Sequence, residues 1–167
     1  MSNILDSTAS PGPTVDVVDV TFHRSVDAKD RRPWVAQVGK MRVHGSILGS
    51  AVGDDLPHDL VTFVVERELG LTDGFFGTVA AGGTFRSMAK KRHRDGKAAI
   101  ARNRPALDRA ERVVHEHWDA WRQGRPTPCA AAFERVQADW RACPPGTDLT
   151  LSWDLVVSGA PKKRQRS

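Results

Sequence analysis

The most constraining feature of the sequence is an apolar stretch from Asp54 to Phe85, which reads DDLPHDLVTFVVERELGLTDGFFGTVAAGGTF. Pro57 suits the first turn of a helix and Gly70 suits the residue that ends one, so the pattern predicts a helix over residues 56–69. At about 100° per residue, its apolar side chains cover more than half of the circumference. That width predicts a central helix that is buried on most sides.

Four polar side chains interrupt the apolar surface of this helix, at spacings that place them on one face. They are His58, Asp59, Thr62 and Glu66. A polar arc on a largely buried helix indicates acid–base catalysis, part of a metal site, or a structural role, because burying unpaired polar groups is costly. A zinc-binding helix would carry a second histidine at position 62, and the threonine there favours the structural alternative. In that alternative Asp55 caps the helix and Glu66 forms an ion pair at the edge of the core.

The second half of the stretch predicts another helix, with Thr72 as its N-cap residue. Glycine inside a helix costs roughly 1 kcal/mol relative to alanine, so Gly74 and Gly77 indicate close approach of the backbone to a neighbour. A phosphate-binding loop is the alternative interpretation. Because no Lys-Ser or Lys-Thr pair follows the glycines, close packing is favoured.

Together the two halves resemble a segment of small bacterial proteins of unassigned function, in which a PHDL-x-x-F-V-V-E helix precedes a Gly/Phe/Ala-rich helix. The matching residues are Pro57, His58, Asp59, Leu60, Phe63, Val64, Val65 and Glu66, followed by Gly74 to Ala81. The resemblance covers about a fifth of the chain. It implies that the two helices belong together, and it brings no activity, cofactor or site residue with it.

Alternation of apolar and polar residues predicts three strands, at residues 14–24, 34–47 and 147–157. The first two are expected to form an antiparallel hairpin, with a bulge near Gly39, and the third to join them. Strands at both ends of the chain and helices in the middle indicate an α+β fold. We therefore expect a small antiparallel sheet packed by four to five helices around the central helix.

Between the central helix and the last strand, the sequence predicts two longer helices. The first is expected to open at Asn103 and Pro105 and to run to Gln123, where Gly124 ends it. Before it, Gly96 is expected to interrupt the helical pattern, and Ala98 to Ala101 are expected to form a short helical piece. The second is expected to start at Thr127 and to stop before Pro144.

Length and composition are those of one globular domain: 167 residues, 40% hydrophobic and 27% charged. We expect a disordered tail over residues 1–13, a single α+β domain over 14–158 and a basic disordered tail over 159–167. The first residues do not form a secretory signal, and no segment approaches the ~18 consecutive apolar residues of a membrane span. A cytoplasmic protein without a membrane partner is therefore expected, and its oligomeric state is left open.

Cys129 and Cys143 are expected to be free, buried thiols. On one helix they would lie roughly 20 Å apart, whereas a disulfide needs Cα atoms within about 7 Å. The chain has no Cys-x-x-Cys pair, so the usual structural zinc site is not expected, and no pattern indicates a bound cofactor.

A second set of ionisable residues recurs at helical spacing on the predicted long helix. This ladder consists of Asp108, Glu111, His115 and Asp119. His115 and Asp119 are one turn apart and could bind the same metal ion. Arg112 and Arg122 share the face, however, and mixed charge is typical of a solvated, ion-paired surface, which is the favoured interpretation. A meeting of this ladder with His58 and Glu66 in space would strengthen the metal interpretation.

Positive charge is concentrated in two segments. Residues 86–104 carry a net charge of +7 and residues 162–167 carry +4, so the rest of the chain totals −6 within the overall +5. The candidate phosphate contacts are Arg86, Lys90, Lys91, Arg92, Arg94 and Lys97, with Lys162, Lys163, Arg164 and Arg166 as a second arm. No aromatic residue occurs from Ser87 to His117, so nucleic-acid binding there would be driven by phosphates and weakly selective. A solubilising loop and tail are the alternative.

Two functional hypotheses follow. The one that the sequence favours is a small cytosolic, non-enzymatic binding module that meets an acidic partner, such as nucleic acid, through residues 86–104 and the basic tail. The alternative is a small enzyme or metal-dependent protein with an acid–base or metal site on the polar face of helix 56–69. Its candidate residues are His58, Asp59 and Glu66, joined by groups from the ladder on the long helix.

Overall fold

The computed structural model describes residues 17–45, 51–82 and 94–155, with residues 94–103 described by their backbone alone. The predicted tails, 1–13 and 159–167, lie outside the described residues.

A four-stranded antiparallel sheet forms one layer of the fold. Its strands are β1 (Val18–His23), β2 (Trp34–Val38), β3 (Met41–Gly45) and β4 (Asp148–Trp153), in the spatial order β3-β2-β1-β4. The predicted antiparallel hairpin is confirmed, since β1 pairs with β2 and places Val20 opposite Ala36. The last strand joins the other side of β1, where Val20 lies opposite Leu151.

The region predicted as one strand, 34–47, forms two strands. Val38 and Met41 are paired directly across a two-residue turn, in which Gly39 has a positive φ of 57°. A glycine adopts this conformation without the steric penalty that a Cβ brings, so the chain reverses here. The break in alternation near Gly39 therefore marks a hairpin turn, and the predicted bulge is wrong.

The predicted central helix is α1 (His58–Glu68), and it is buried along almost its whole length. Every residue from Asp59 to Glu66 is buried, and Gly70 follows the helix with a positive φ of 66°. The predicted cap by Asp55 is wrong. Two residues separate Asp55 from the first helical residue, so Pro57 takes the N-cap position and no side chain caps the helix.

The second helix, α2 (Phe75–Ala80), follows after a tight turn. Its N-cap residue is Gly74, so the prediction of Thr72 at that position is wrong. Gly77 packs against the backbone of Thr72 so closely that a Cβ would collide with it. The close backbone approach predicted for Gly77 is thus confirmed.

The two longer helices are α3 (Arg94–Arg122) and α4 (Ala130–Ala142). The prediction that the long helix opens only at Asn103 and Pro105 is wrong, because α3 already includes Gly96 and passes through Pro105. The residues between Gly96 and Pro105 include Lys97, Ala98, Ala99, Ala101 and Arg102, which are all good helix formers. Both cysteines are buried and free, as predicted, and they flank α4.

Helix α1 is the centre of the fold. It contacts α2, α3 and α4, and the ring of Phe63 packs on Phe22 of β1 and Trp153 of β4. The buried face of the sheet is formed by Val18, Val20, Phe22, Trp34, Ala36, Val43 and Trp153. The fold is therefore α+β, as predicted. Within the described ranges, no helix combines the length and apolarity that crossing a bilayer requires.

We expect Phe63→Ala to lower the free energy of unfolding by about 3–5 kcal/mol, because the buried ring would leave a cavity between α1 and the sheet. Urea denaturation followed by circular dichroism would measure this loss. Val17→Ala, at a position that is 54% exposed, should change the value by less than about 0.5 kcal/mol. Equal effects of the two substitutions would contradict the central position of α1.

Candidate functional site

Three ionisable side chains from two helices converge at the edge of the core. His58 is the first residue of α1, while Glu111 and His115 lie one turn apart on α3. One potential ligand atom of each lies within 4.8 Å of the others. The Nε2 atom of His115 is 3.8 Å from Oε1 of Glu111, and the rings of His58 and His115 have centroids 5.6 Å apart. We refer to these three residues as the His–Glu–His cluster.

His58 is the least exposed member of the cluster. Its Nδ1 atom is buried, and it has no hydrogen-bond partner among the residues that the structure describes. Burial lowers the pKa of His58, and the nearby charge of His115 lowers it further, against the opposite effect of Glu111. The imidazole of His58 is therefore neutral at neutral pH and carries a lone pair that can bind a cation.

The spacing of the cluster is close to that of a metal site. Zinc–nitrogen and zinc–oxygen bonds are about 2.0–2.2 Å long, so ligand atoms on one ion lie roughly 3–4 Å apart. Because the three ligand atoms lie within 4.8 Å of one another, binding one ion would need a contraction of at most about 1–2 Å. The side chains of Glu111 and His115 are 64% and 54% exposed, so solvent leaves them room to rotate by that amount.

A cavity of about 160 Å³ lies beside the cluster. Its described lining consists of His58, Asp59, Thr62, Glu66, Phe75, Leu107 and Glu111. The polar arc predicted on α1 therefore faces a cavity. The ladder predicted on α3 reaches the same cavity through Glu111, so the two polar faces do meet in space.

Glu66 lies at the buried side of this cavity, where its side chain caps α2. Its Oε1 accepts a hydrogen bond from the backbone N–H of Phe75 at 2.6 Å, and its Oε2 accepts one from Phe76 at 2.7 Å. A Cβ at Gly74 would collide with the same carboxyl group, which accounts for the glycine. The ion pair expected for Glu66 does not occur within the described residues, and the neighbouring Arg67 contacts Asp154 instead.

The environment of Glu66 changes its protonation. Burial raises the pKa of Glu66 to about 8, because a charged carboxylate loses its hydration in the core. The backbone N–H groups of Phe75, Phe76 and Gly77 act in the opposite direction, while the charge of Asp73 adds to the rise. At pH 7 most molecules therefore hold a neutral carboxyl group at this position.

The remaining predicted site residues lie in different surroundings. Asp59 is buried and lines the cavity, and Oγ1 of Thr62 donates a hydrogen bond to the carbonyl of His58 at 3.0 Å. Asp108 and Asp119 are exposed, and neither belongs to a metal-competent group in the described part of the chain. Of the predicted pair His115 and Asp119, only His115 therefore joins the cluster.

The predicted nucleic-acid contacts cannot be placed in the same way. Arg86, Lys90, Lys91 and Arg92 lie outside the described residues. Arg94 and Lys97 belong to the first two turns of α3, where the backbone alone is described. Binding of an acidic partner through residues 86–104 stays a prediction.

Two buried residues with ionisable side chains, His23 and Arg24, escaped the sequence analysis. His23, the last residue of β1, lies between Asp148 at 2.6 Å and Asp30 at 2.9 Å. Arg24 donates to the carbonyl oxygens of Trp140 and Cys143 at the end of α4, each at 2.7 Å. The contacts of His23 join β1 to β4 and to the loop that follows β1, and those of Arg24 tie the end of β1 to α4. No sequence signal marks them, because the main partners are more than 100 positions away.

Comparison of the chain with protein-family models, with curated proteins and with solved structures finds no match. The chemistry of the site therefore has to be derived from its own side chains.

We expect Glu66→Gln to change how stability depends on pH. The folded-state pKa of about 8 lies above the usual 4.5. Between pH 4.5 and about pH 8, the folded chain therefore keeps a proton on Glu66 that the unfolded chain has lost. Wild-type stability should fall as pH rises from about 5 to 8, by up to about 1.4 kcal/mol per pH unit, and then level off. Because glutamine does not titrate, this component should vanish in the variant.

Urea denaturation of the metal-free protein at pH 5, 6, 7, 8 and 9 would measure the difference between the two proteins. Glu68→Gln, at a partly exposed position on the same helix, serves as the matched control and should keep the wild-type slope. A constant difference between wild type and Glu66→Gln across this range would show that Glu66 ionises in the core as it does in the unfolded chain.

Proposed function

We propose that the protein binds a divalent transition-metal ion through His58, Glu111 and His115, and that it acts as a small metal-dependent protein. The observation that carries the proposal is the convergence of three ligand atoms within 4.8 Å from two different helices. This corresponds to the alternative hypothesis from the sequence, in which the polar face of the central helix meets the ladder on the long helix.

The ligand set favours a particular class of ion. Two imidazole nitrogens with one carboxylate oxygen suit Zn²⁺, Fe²⁺, Mn²⁺ or Ni²⁺, whereas Ca²⁺ and Mg²⁺ prefer ligand sets made of oxygen alone. Three protein ligands leave at least one coordination position open for water or a substrate. An ion with an open position polarises a carbonyl group or lowers the pKa of its bound water, so this arrangement supports hydrolytic or other Lewis-acid chemistry.

The competing interpretation is a solvated helix surface. Glu111 and His115 alone would fit it, since exposed pairs at a spacing of four residues are common on helices. His58 argues against it, because its ring approaches from a second helix and carries a buried nitrogen without a partner among the described residues. A buried polar atom of this kind costs about 1–3 kcal/mol when it has no partner.

Zinc titration of the untagged, chelator-treated protein by isothermal calorimetry tests the proposal. We expect one ion per chain for the wild type. His58→Ala, Glu111→Ala and His115→Ala should each weaken binding by more than the roughly 10- to 100-fold that loss of an outer-shell partner costs. Each variant removes a direct ligand, so the loss should be larger than that range.

Two substitutions serve as matched controls. Asp119→Ala removes an exposed carboxylate from the same helix, and His44→Ala removes an exposed imidazole from the sheet. Both should bind zinc as the wild type does. A wild type that binds no zinc, or cluster variants that bind it as tightly as the two controls do, would exclude the proposed site.

A further inference from the structure

The cavity beside the His–Glu–His cluster is the right size for a small organic molecule. Its volume of about 160 Å³ is close to that of engineered protein cavities of about 150 Å³ that hold one benzene molecule. His58 and Glu111 belong both to the cluster and to the cavity lining. A molecule in the cavity would therefore lie next to an ion held by the cluster.

The lining of the cavity restricts the charge of such a molecule. Phe75 and Leu107 contribute apolar walls, and the acidic side chains in the lining are Asp59, Glu66 and Glu111. Apart from the bound ion itself, the described lining offers no charge that would compensate a buried anion, because it contains no lysine or arginine. A cationic molecule, in turn, would be repelled by the bound ion.

Exposure varies from one side of the site to the other. Glu111 and His115 are mostly exposed, whereas Asp59 and Glu66 are 5% and 1% exposed. An ion on the cluster would therefore lie at the mouth of the cavity, with the apolar and buried walls behind it. Burial keeps the pKa of Glu66 high, so this buried wall carries little charge from Glu66 at neutral pH.

We propose that the cavity is the substrate side of the metal site and that it takes a small uncharged molecule, one nitrogen or oxygen atom of which coordinates the ion. This inference rests on the proposed function, because the ion anchors one end of the ligand. Phe75 and Leu107 contact its apolar body and limit its size to about one ring. The class of ligand is thus a single-ring or short-chain neutral compound with a metal-binding atom at one end.

Pyrazole and azide, added to the Co²⁺-loaded protein, test the proposal through the visible absorption of the ion. Pyrazole is a single uncharged ring that needs the cavity, whereas azide is a small anion that can reach the ion from solvent. We expect both to change the wild-type spectrum. Leu107→Trp and Phe75→Trp, which fill the cavity and keep all three ligands, should weaken pyrazole binding at least about tenfold. Azide binding and Co²⁺ affinity should stay unchanged in both variants.

The outcomes separate the two proposals. If the wild type fails to bind Co²⁺, the metal site itself is wrong and the cavity proposal falls with it. If Co²⁺ binds but pyrazole leaves the spectrum unchanged, or if both tryptophan variants bind pyrazole like the wild type, the cavity proposal alone is overturned. A size series on the wild type gives a check that needs no variant, since 4-phenylpyrazole exceeds the cavity. It should bind at least about tenfold more weakly than pyrazole, and equal affinity would overturn the proposal.

Discussion

The carboxyl group of Glu66 is the contact on which the arrangement of the helices depends. It accepts hydrogen bonds from the backbone of Phe75 and Phe76, and it thereby fixes the start of α2 against the middle of the core. With α2 held there, Phe75 and Phe76 pack on Trp34 of the sheet, with ring centroids 5.7 and 5.1 Å away. One buried side chain on α1 therefore sets how a second helix meets the sheet.

The same helix holds the other end of the cavity. Because α1 is packed against three helices and against rings from two strands, His58 at its first residue stands on a rigid support. Glu111 and His115 instead stand on an exposed face of α3 and have freedom to rotate. The His–Glu–His cluster therefore combines one ring held by a packed helix with two exposed side chains that have room to rotate.

The sequence predicted which residues of the site share a helix face, but it did not predict that the two faces lie next to each other. Helical spacing alone places Glu66 with His58 on one face and Glu111 with His115 on another, since that periodicity is local. Their approach depends on how α1 crosses α3, which side-chain packing between distant segments decides. Gly39 shows the same limit, because a break in alternation fits a bulge and a hairpin turn equally well. The burial of Arg24 could not be foreseen either, as its carbonyl partners arrive with α4.

Structural roles account for some of the polar groups along the cavity. The carboxyl of Glu66 caps α2, and the hydroxyl of Thr62 donates to the carbonyl of His58. The hydrogen bonds of each group compensate for the cost of burying it, so neither group requires a ligand. His58 differs, because its Nδ1 is the buried polar side-chain atom of the described lining that lacks a partner. An unpartnered buried nitrogen costs about 1–3 kcal/mol, and the contacts of the described residues do not offset that cost. The case for function therefore rests on His58 more than on the unusual carboxyl group of Glu66.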